Sequence, residues 1–422
     1  MSRKEKGLSS IKGTKDILPA EARKWQWVEK VSKEHFERYG YREIRTPVFE
    51  ATELFEKGTG ETSDIVIKEM YTFTDKGGRS LALRPEYTPS VVRAIIEHRL
   101  YLKTPPLRYY YIGPMFRYDK PQKGRYRQFH QVDIEVFDER DPAVDAEIVE
   151  MADSLLKKLE VKNTEILVNS VGCPGCRVAY QEDLRQAARE SKGKLCSECR
   201  RKIETNPLRI FDCKEQECRQ VSQGFPKITE YLCQDCQRHF EKFQEYLNLY
   251  GLSYKVAPRL VRGLDYYTKT TFEIVTSELG AQDAVLGGGR YDDMMKTFGG
   301  PDICGIGFAM GLERLLALVP FATRETPFLY LVYMNEETKR VSVDFARRFR
   351  QMGVECLLEF KGRSLKNSMS RANKLGARWA LIIGEEELRR ECFNLKDMKS
   401  GKQKALSRDE LLKYFSQFSS RK

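Results

Sequence analysis

No run of apolar residues in this 422-residue chain approaches the ~18 needed to cross a bilayer; the longest, Phe328 to Met334, has the length of a strand. The N-terminus is basic, but no apolar segment of signal-peptide type follows it, so secretion is not expected and the cytosol is the default compartment. Histidine is scarce: four residues, widely separated, which excludes a histidine-rich catalytic metal site. There is no phosphate loop of the Walker type, no strand-anchored G-x-G-x-x-G and no serine-hydrolase elbow. A wholly disordered chain is also excluded, because 41% of residues are hydrophobic and 11% aromatic.

Lysine and arginine number 73 against 61 aspartate and glutamate, a net +12. That excess alone fits a nucleic-acid partner and an ordinary basic protein equally well. Its location says more. From Arg324 to Lys422 there are 22 Lys and Arg against 13 Asp and Glu, a net +9, so the last quarter is a candidate nucleic-acid-binding domain.

Eight of the eleven cysteines fall in four close pairs: Cys173/Cys176, Cys196/Cys199, Cys213/Cys218 and Cys233/Cys236. A reducing cytosol disfavours disulfides. The spacing fits tetrahedral zinc–thiolate sites, or else reduced cysteines that simply pack.

Before this block the pattern predicts a helix from Pro19 to Gly40, a short strand over 44–49 broken by Pro47, and a hairpin of 71–74 with 81–83. Strands over 107–116 and 128–137 and a helix over 141–159 follow. After it, 259–275 reads as β, Gly287 to Asp292 as a turn, 304–308 as a buried strand and 312–319 as a helix. From Phe328 strands and helices alternate: strand 328–334, helix 338–351, strand 354–359, helix 364–375, strand 379–383. That predicts an α/β domain with a largely parallel sheet. Three arginines sit in apolar, strand-flanking settings: Arg117, Arg262 and Arg314. A guanidinium grips phosphate in a planar fork, so these are candidate phosphate clamps.

At these residues the chain resembles a known family. Leu83-Arg-Pro-Glu-Tyr-Thr, Phe116-Arg, Arg125-Tyr-Arg-Gln-Phe-His-Gln, Leu260-Val-Arg-Gly-Leu-Asp-Tyr-Tyr, Gly288-Gly-Arg-Tyr-Asp and Gly307-Phe-Ala-Met-Gly-Leu-Glu-Arg look like histidyl-tRNA synthetases, a class II aminoacyl-tRNA synthetase family. Lys12-Gly-Thr-Lys-Asp-Ile-Leu-Pro and Arg45-Thr-Pro-Val-Phe-Glu fit too.

The resemblance implies an α+β catalytic core, an antiparallel sheet flanked by helices, in two parts (1–172 and 244–322). A Cys-rich, mainly helical insertion (173–243) splits it, and an α/β anticodon-binding domain (323–422) follows. It implies a cytoplasmic homodimer with Pro47 near the two-fold, acting on L-histidine, ATP with Mg²⁺, and tRNA(His), with no membrane partner. Zinc in the insertion does not follow from the family.

By analogy Arg117 holds the α-phosphate, and Arg262 lies between it and the histidine carboxylate; these two are the catalytic pair. Arg125 reaches the distal phosphates, and Phe129 and Arg314 sandwich the adenine. Glu86, Thr88 and Gln131 take the histidine ammonium. Glu135 and Tyr267 take the imidazole, with Tyr266 beside them. Tyr87, Arg117 and Arg262 complete the histidine site. Lys120, Gln122 and Lys123 meet the tRNA acceptor end, with Gln122 reading a base edge. Tyr87 stands where the family commonly has glycine, and Asp119 where it usually has glutamate. Two other readings compete. One is the non-catalytic regulatory subunit of ATP phosphoribosyltransferase, which lacks a C-terminal α/β domain. The other is a synthetase-like RNA sensor, which would have lost the arginine clamps.

Overall fold

The computed structural model describes residues 8–60, 63, 65–120, 124–279, 284–321 and 328–419. The chain divides into two compact units, one through Phe321 and one from Ala322 onward. No described helix is long and apolar enough to cross a membrane.

The first unit is built on an eight-stranded sheet. Its strands run, edge to edge, Arg42–Glu43, Leu107–Phe116, Gln128–Phe137, Gly305–Gly311, Ala284–Arg290, Thr268–Thr276, Thr164–Ser170 and Tyr254–Val256. The six inner strands are antiparallel; only the two edge strands pair in parallel. Side chains alternate between faces along a strand, and here the two faces have opposite characters. Val132, Ile134 and Val136 of the Gln128–Phe137 strand join Ile306, Phe308 and Met310 of its neighbour in the main core. Helices Pro19–Arg38, Pro142–Lys158, Gln234–Leu249 and Leu312–Leu318 cover that face with Val28, Phe36, Leu155, Phe243 and Leu315. The opposite face carries Gln131, Asp133 and Glu135, directly opposite Gly311, Ala309 and Gly307. Small residues beside a row of polar ones leave a trough on the sheet.

The Cys-rich segment connects the parallel neighbours Thr164–Ser170 and Tyr254–Val256. It folds as helices Pro174–Glu190, Ser197–Thr205 and Gln216–Ser222 around a small core of Tyr180, Leu184, Leu195, Ile203, Ile210 and Phe225, and ends in the helix Gln234–Leu249. The last of these helices runs through residue 243 and places Phe240, Phe243 and Leu247 in the main core.

Three expectations are corrected. Residues 44–48 form no strand: the buried Arg84 guanidinium takes the Thr46 and Pro47 carbonyls (3.0 and 3.3 Å), and flanking strands 42–43 and 49–51 belong to different sheets. Gly287 to Arg290 is not a turn but the inside of the Ala284–Arg290 strand, paired on both sides. Its glycine is needed for clearance, since a Cβ at Gly287 would overlap the Arg262 guanidinium. Residues 259–267 are irregular, with β structure starting at Thr268, because side chains rather than a neighbouring strand hold this segment.

In the second unit, strands Cys356–Leu358, Leu329–Tyr333 and Trp379–Ile383 pair in parallel. Cys392–Asp397 and Gln403–Ser407 extend the sheet antiparallel, so it is mixed. Helices Glu336–Gln351 and Arg408–Ser419 pack Phe345, Phe349, Leu411 and Phe415 on it.

Candidate active site

The trough opens into a cleft of about 880 Å³. At one end three buried carboxylates converge. Glu86 precedes the helix Thr88–Glu97; Asp133 and Glu135 share the polar face of their strand. Tyr266 donates to Glu86 Oε2 (3.0 Å), and Thr88 donates to Glu135 Oε1 (2.6 Å), whose other oxygen accepts from Tyr291. Both Asp133 oxygens, Glu86 Oε1 and Gln131 Oε1 have no protein hydrogen-bond partner. Burial pushes Glu86 up to about 7 and Glu135 up to about 8. Asp133 is held well above the usual carboxylate range by burial and by the charges of Glu135 and Glu86. A site that holds three acids this way, with acceptors unfilled, is matched to a cationic ligand with several N–H groups.

The other end is cationic, with Arg117, Arg125, Arg262 and Arg314 lining the same cleft. Arg117 donates to the Pro85 carbonyl (2.7 Å) and lies 5.2 Å from the Phe129 ring centroid. Arg125 pairs with Asp119 (2.6 Å). Arg314 donates to the Ala284 carbonyl (2.8 Å); burial, then the positive charges of Arg125 and Arg117, lower its pKa. Arg262 forms an ion pair with Glu273; burial is the largest single influence on it, but Glu273 together with Tyr267 and Tyr266 outweighs burial and keeps the guanidinium charged, and its Nε has no partner. Guanidinium groups that repel one another across an open cleft are relieved by a polyanion. The cleft therefore suits a molecule with a cationic end and a polyphosphate end.

Most expected site residues meet here: Glu86, Tyr87, Thr88, Arg117, Arg125, Phe129, Gln131, Arg262, Tyr266, Tyr267 and Arg314 line the cleft, and Glu135 lies behind Thr88. Tyr87 contributes no free hydroxyl, because it donates to the Ile44 carbonyl (2.6 Å) while its ring stacks on Tyr111. Lys120 is exposed beyond the cleft lining; Gln122 and Lys123 lie outside the described residues. Sequence reasoning passed over Asp133, Glu273 and Tyr291. Asp133 was findable, since it lies two residues from both Gln131 and Glu135 and so shares their face.

The eight clustered cysteines are all free thiols, and they form two sets: Cys173, Cys176, Cys233 and Cys236, and Cys196, Cys199, Cys213 and Cys218. Within each set all four sulfurs lie within 4.8 Å of one another. A tetrahedron with Zn–S bonds of ~2.3 Å has edges of about 3.8 Å. The sulfurs of Cys173 and Cys176 are 3.6 Å apart and those of Cys196 and Cys213 3.9 Å. Each set can hold a metal ion.

The raised carboxyls predict a pH dependence. A carboxyl whose folded pKa is raised contributes stability that is complete below its unfolded pKa, near 4.5, and lost as pH rises through the folded values of about 7 and 8. The ligand-free protein should therefore lose Tm across that range. A cationic ligand bound among them would compensate the ionised carboxylates, so the amino acid that the sequence resemblance implies, histidine, should raise Tm more at about pH 8.5 than at about pH 6. Thermal scans with and without histidine test this, and an equal rise at both values would count against it.

The family model for histidyl-tRNA synthetase matches residues 13–198 and 211–315, and that for an anticodon-binding domain matches 329–418. The chain is similar to the histidine–tRNA ligase of Halothermothrix orenii, 49% identical over 93% of this chain and 95% of that one. It is similar to that of Caldanaerobacter subterraneus subsp. tengcongensis, 48% identical over 95% and 98%. The solved structure of apo S. aureus histidyl-tRNA synthetase superposes with a TM-score of 0.81 at 35% identity, covering 97% of this chain and all of that one.

Proposed function

The chain belongs to the histidyl-tRNA synthetase family, and from that premise we propose how its cleft divides the work of charging tRNA with histidine. The protein is a histidine–tRNA ligase: it activates histidine with ATP and transfers it to tRNA(His). The activity uses ATP together with a divalent ion. The observation that carries the division of labour is the charge pattern of one cleft, with Glu86, Asp133 and, behind Thr88, Glu135 at one end, and Arg117, Arg125, Arg262 and Arg314 at the other.

Histidine binds with its ammonium and imidazole toward Glu86, Gln131, Asp133 and Glu135, assisted by Thr88, Tyr266 and Tyr267. Tyr87 supports that wall through its stacked ring. The carboxylate then points toward Arg262 and Arg117. ATP enters as its Mg²⁺ complex, with the adenine between Phe129 and Arg314 and the distal phosphates near Arg125. A carboxylate oxygen attacks the α-phosphorus; the new O–P bond forms as the bond to the β-phosphate oxygen breaks, and pyrophosphate leaves. The nucleophile is already ionised, so the chain supplies alignment and charge stabilisation rather than a base. The 3′-terminal ribose hydroxyl of tRNA then displaces AMP.

We assign the acceptor end of the tRNA to Lys120, Gln122 and Lys123, as the sequence resemblance implies. Zn²⁺ is the ion suited to both four-cysteine sets, since thiolates favour it and it needs no other ligand. The core comprises 1–172 and 244–322, the insertion 173–243 and the anticodon domain 323–422. Exposed Val48, Phe49 and Phe73 beside Pro47 support a homodimer through this face. Its work on tRNA assigns it to the cytoplasm. The second unit, matched by an anticodon-binding model, speaks against the regulatory-subunit reading, and the arginine clamps in one cleft speak against the sensor reading.

Histidine-dependent ATP–pyrophosphate exchange, followed by charging of tRNA(His), tests the whole reading. A chain ending at residue 324 should keep the exchange reaction, provided the dimer survives. It should charge tRNA poorly, with a shallower salt dependence of tRNA binding once the +9 segment is gone. Unchanged tRNA affinity would remove the anticodon role from the second unit.

A further inference from the structure

The segment that presents Arg262 is held between the core and the insertion. On the core side, Asn169 Nδ2 donates to the Leu260 carbonyl (2.9 Å). On the insertion side, Arg209 Nη2 donates to the Gly263 carbonyl (2.5 Å), and Asn206 Nδ2 donates to Asp265 (2.9 Å). Arg259 of the same segment donates to the Ser222 carbonyl (2.9 Å). The residues on either side of Arg262 are thus tied to two pieces of the insertion: the stretch 206–209, and the end of the helix Gln216–Ser222.

Those two pieces are the ones that the second cysteine set joins. Cys199 lies before Asn206 and Arg209, Cys213 follows them, and Cys218 is on the helix that ends at Ser222. The Cys196 amide donates to Cys218 Sγ (3.1 Å), and Arg219 Nε to the Cys213 carbonyl (2.9 Å). Cys196 and Cys213 themselves line the catalytic cleft. The apolar core around them is small, and a core of this size in a segment of under ~80 residues is commonly reinforced by a metal or another staple.

We infer that the Cys196/Cys199/Cys213/Cys218 set is a Zn²⁺ site that controls catalysis by fixing the Arg262 segment, with Arg209 as the positioning residue. The inference rests on the zinc assignment above and goes beyond it by giving one of the two ions a catalytic consequence. Arg209 lines the cleft wall beside this segment and acts on it through the Gly263 carbonyl and an ion pair with Asp265 (3.5 Å). The acid-lined end of the histidine pocket is built on the sheet and the Glu86 segment, and only Arg262, with the adjoining Tyr266 and Tyr267, comes from this stretch, so loosening 259–265 should lower kcat for adenylate formation more than it raises KM for histidine.

The test uses the full chain purified under reducing conditions, with zinc counted per chain and histidine-dependent pyrophosphate exchange measured. The wild type should carry two zinc ions. The double variant Cys199→Ser/Cys218→Ser should carry one, with kcat down about tenfold or more and KM for histidine within about twofold. Arg209→Ala should keep both ions and still lose about fivefold or more in kcat, and Arg209→Lys should recover part of the loss. Arg189→Ala, which breaks only an exposed pair with Glu204 on the insertion, should keep both ions and full kcat. Wild-type protein without zinc would overturn the zinc assignment and the inference with it. Two ions in the wild type but unchanged kcat in Arg209→Ala would overturn the coupling alone. That variant decides the matter even if the double variant fails to fold.

Discussion

Arg262→Ala should lower the rate of adenylate formation by ~10² to 10³, the usual effect of removing one preorganised charge from a transition state. Three features make this residue the most sensitive in the cleft. Its guanidinium is fixed by Glu273 and fits against the strand only because residue 287 is glycine. Its Nε has no partner in the ligand-free cleft, so a donor is held ready. Glu273, together with Tyr267 and Tyr266, keeps it protonated despite burial. Negative charge builds on the α-phosphate oxygens as the carboxylate attacks, and a fixed cation there stabilises that charge without reorganising. Transfer from supplied adenylate to tRNA should suffer far less, because pyrophosphate has already left. Arg262→Lys should fall between, since an ammonium cannot reproduce the planar fork. Pyrophosphate exchange near the wild-type rate in Arg262→Ala would remove Arg262 from the mechanism.

Glu135→Gln should reduce kcat/KM for histidine by about 10², expressed mainly as a higher KM for histidine with KM for ATP unchanged. The carboxyl is buried, accepts from Thr88 and Tyr291, and sits opposite Gly307, where a Cβ would collide with it. An amide in that space offers a donor where the pocket needs an acceptor, leaving a buried polar group unpaired against the ligand. Stability should not fall in parallel, because burial already disfavours the ionised form of this residue. The informative result is therefore a split between a raised KM and an unchanged Tm at neutral pH. An unchanged KM for histidine would show that Glu135 supports the fold and not the substrate.

What could be read from the sequence followed the periodicity of its elements. The strands Leu107–Phe116 and Gln128–Phe137 have the bounds expected of them, because the first is a long aromatic and apolar run and the second alternates from Val132 to Val136. Pattern reading went wrong where side chains replace strand pairing. At 44–48 the buried Arg84 takes the carbonyls, and at 259–267 Asn169 and Arg209 do. The glycines at 287–289 read as a turn by composition, yet they serve close approach inside a strand, a requirement only the neighbouring Arg262 reveals. Strands Cys392–Asp397 and Gln403–Ser407 were not expected, since lysines and glutamine on the open face dilute their apolar alternation. The sorting of four cysteine pairs into two sets was beyond any spacing rule: the first pair joins the fourth and the second joins the third, which only the fold of the insertion decides. The arginine clamps were recognised singly, as phosphate ligands. Their convergence with three acids in one cleft is a property of the sheet.

Pyrophosphate exchange by the wild-type chain, with each of the twenty amino acids supplied in turn, tests the central claim most directly. The two-ended cleft predicts exchange that depends on histidine, and its loss when histidine is replaced by an analogue with a blocked ring nitrogen. Exchange that ignores the ring nitrogens, or none with histidine at all, would contradict it.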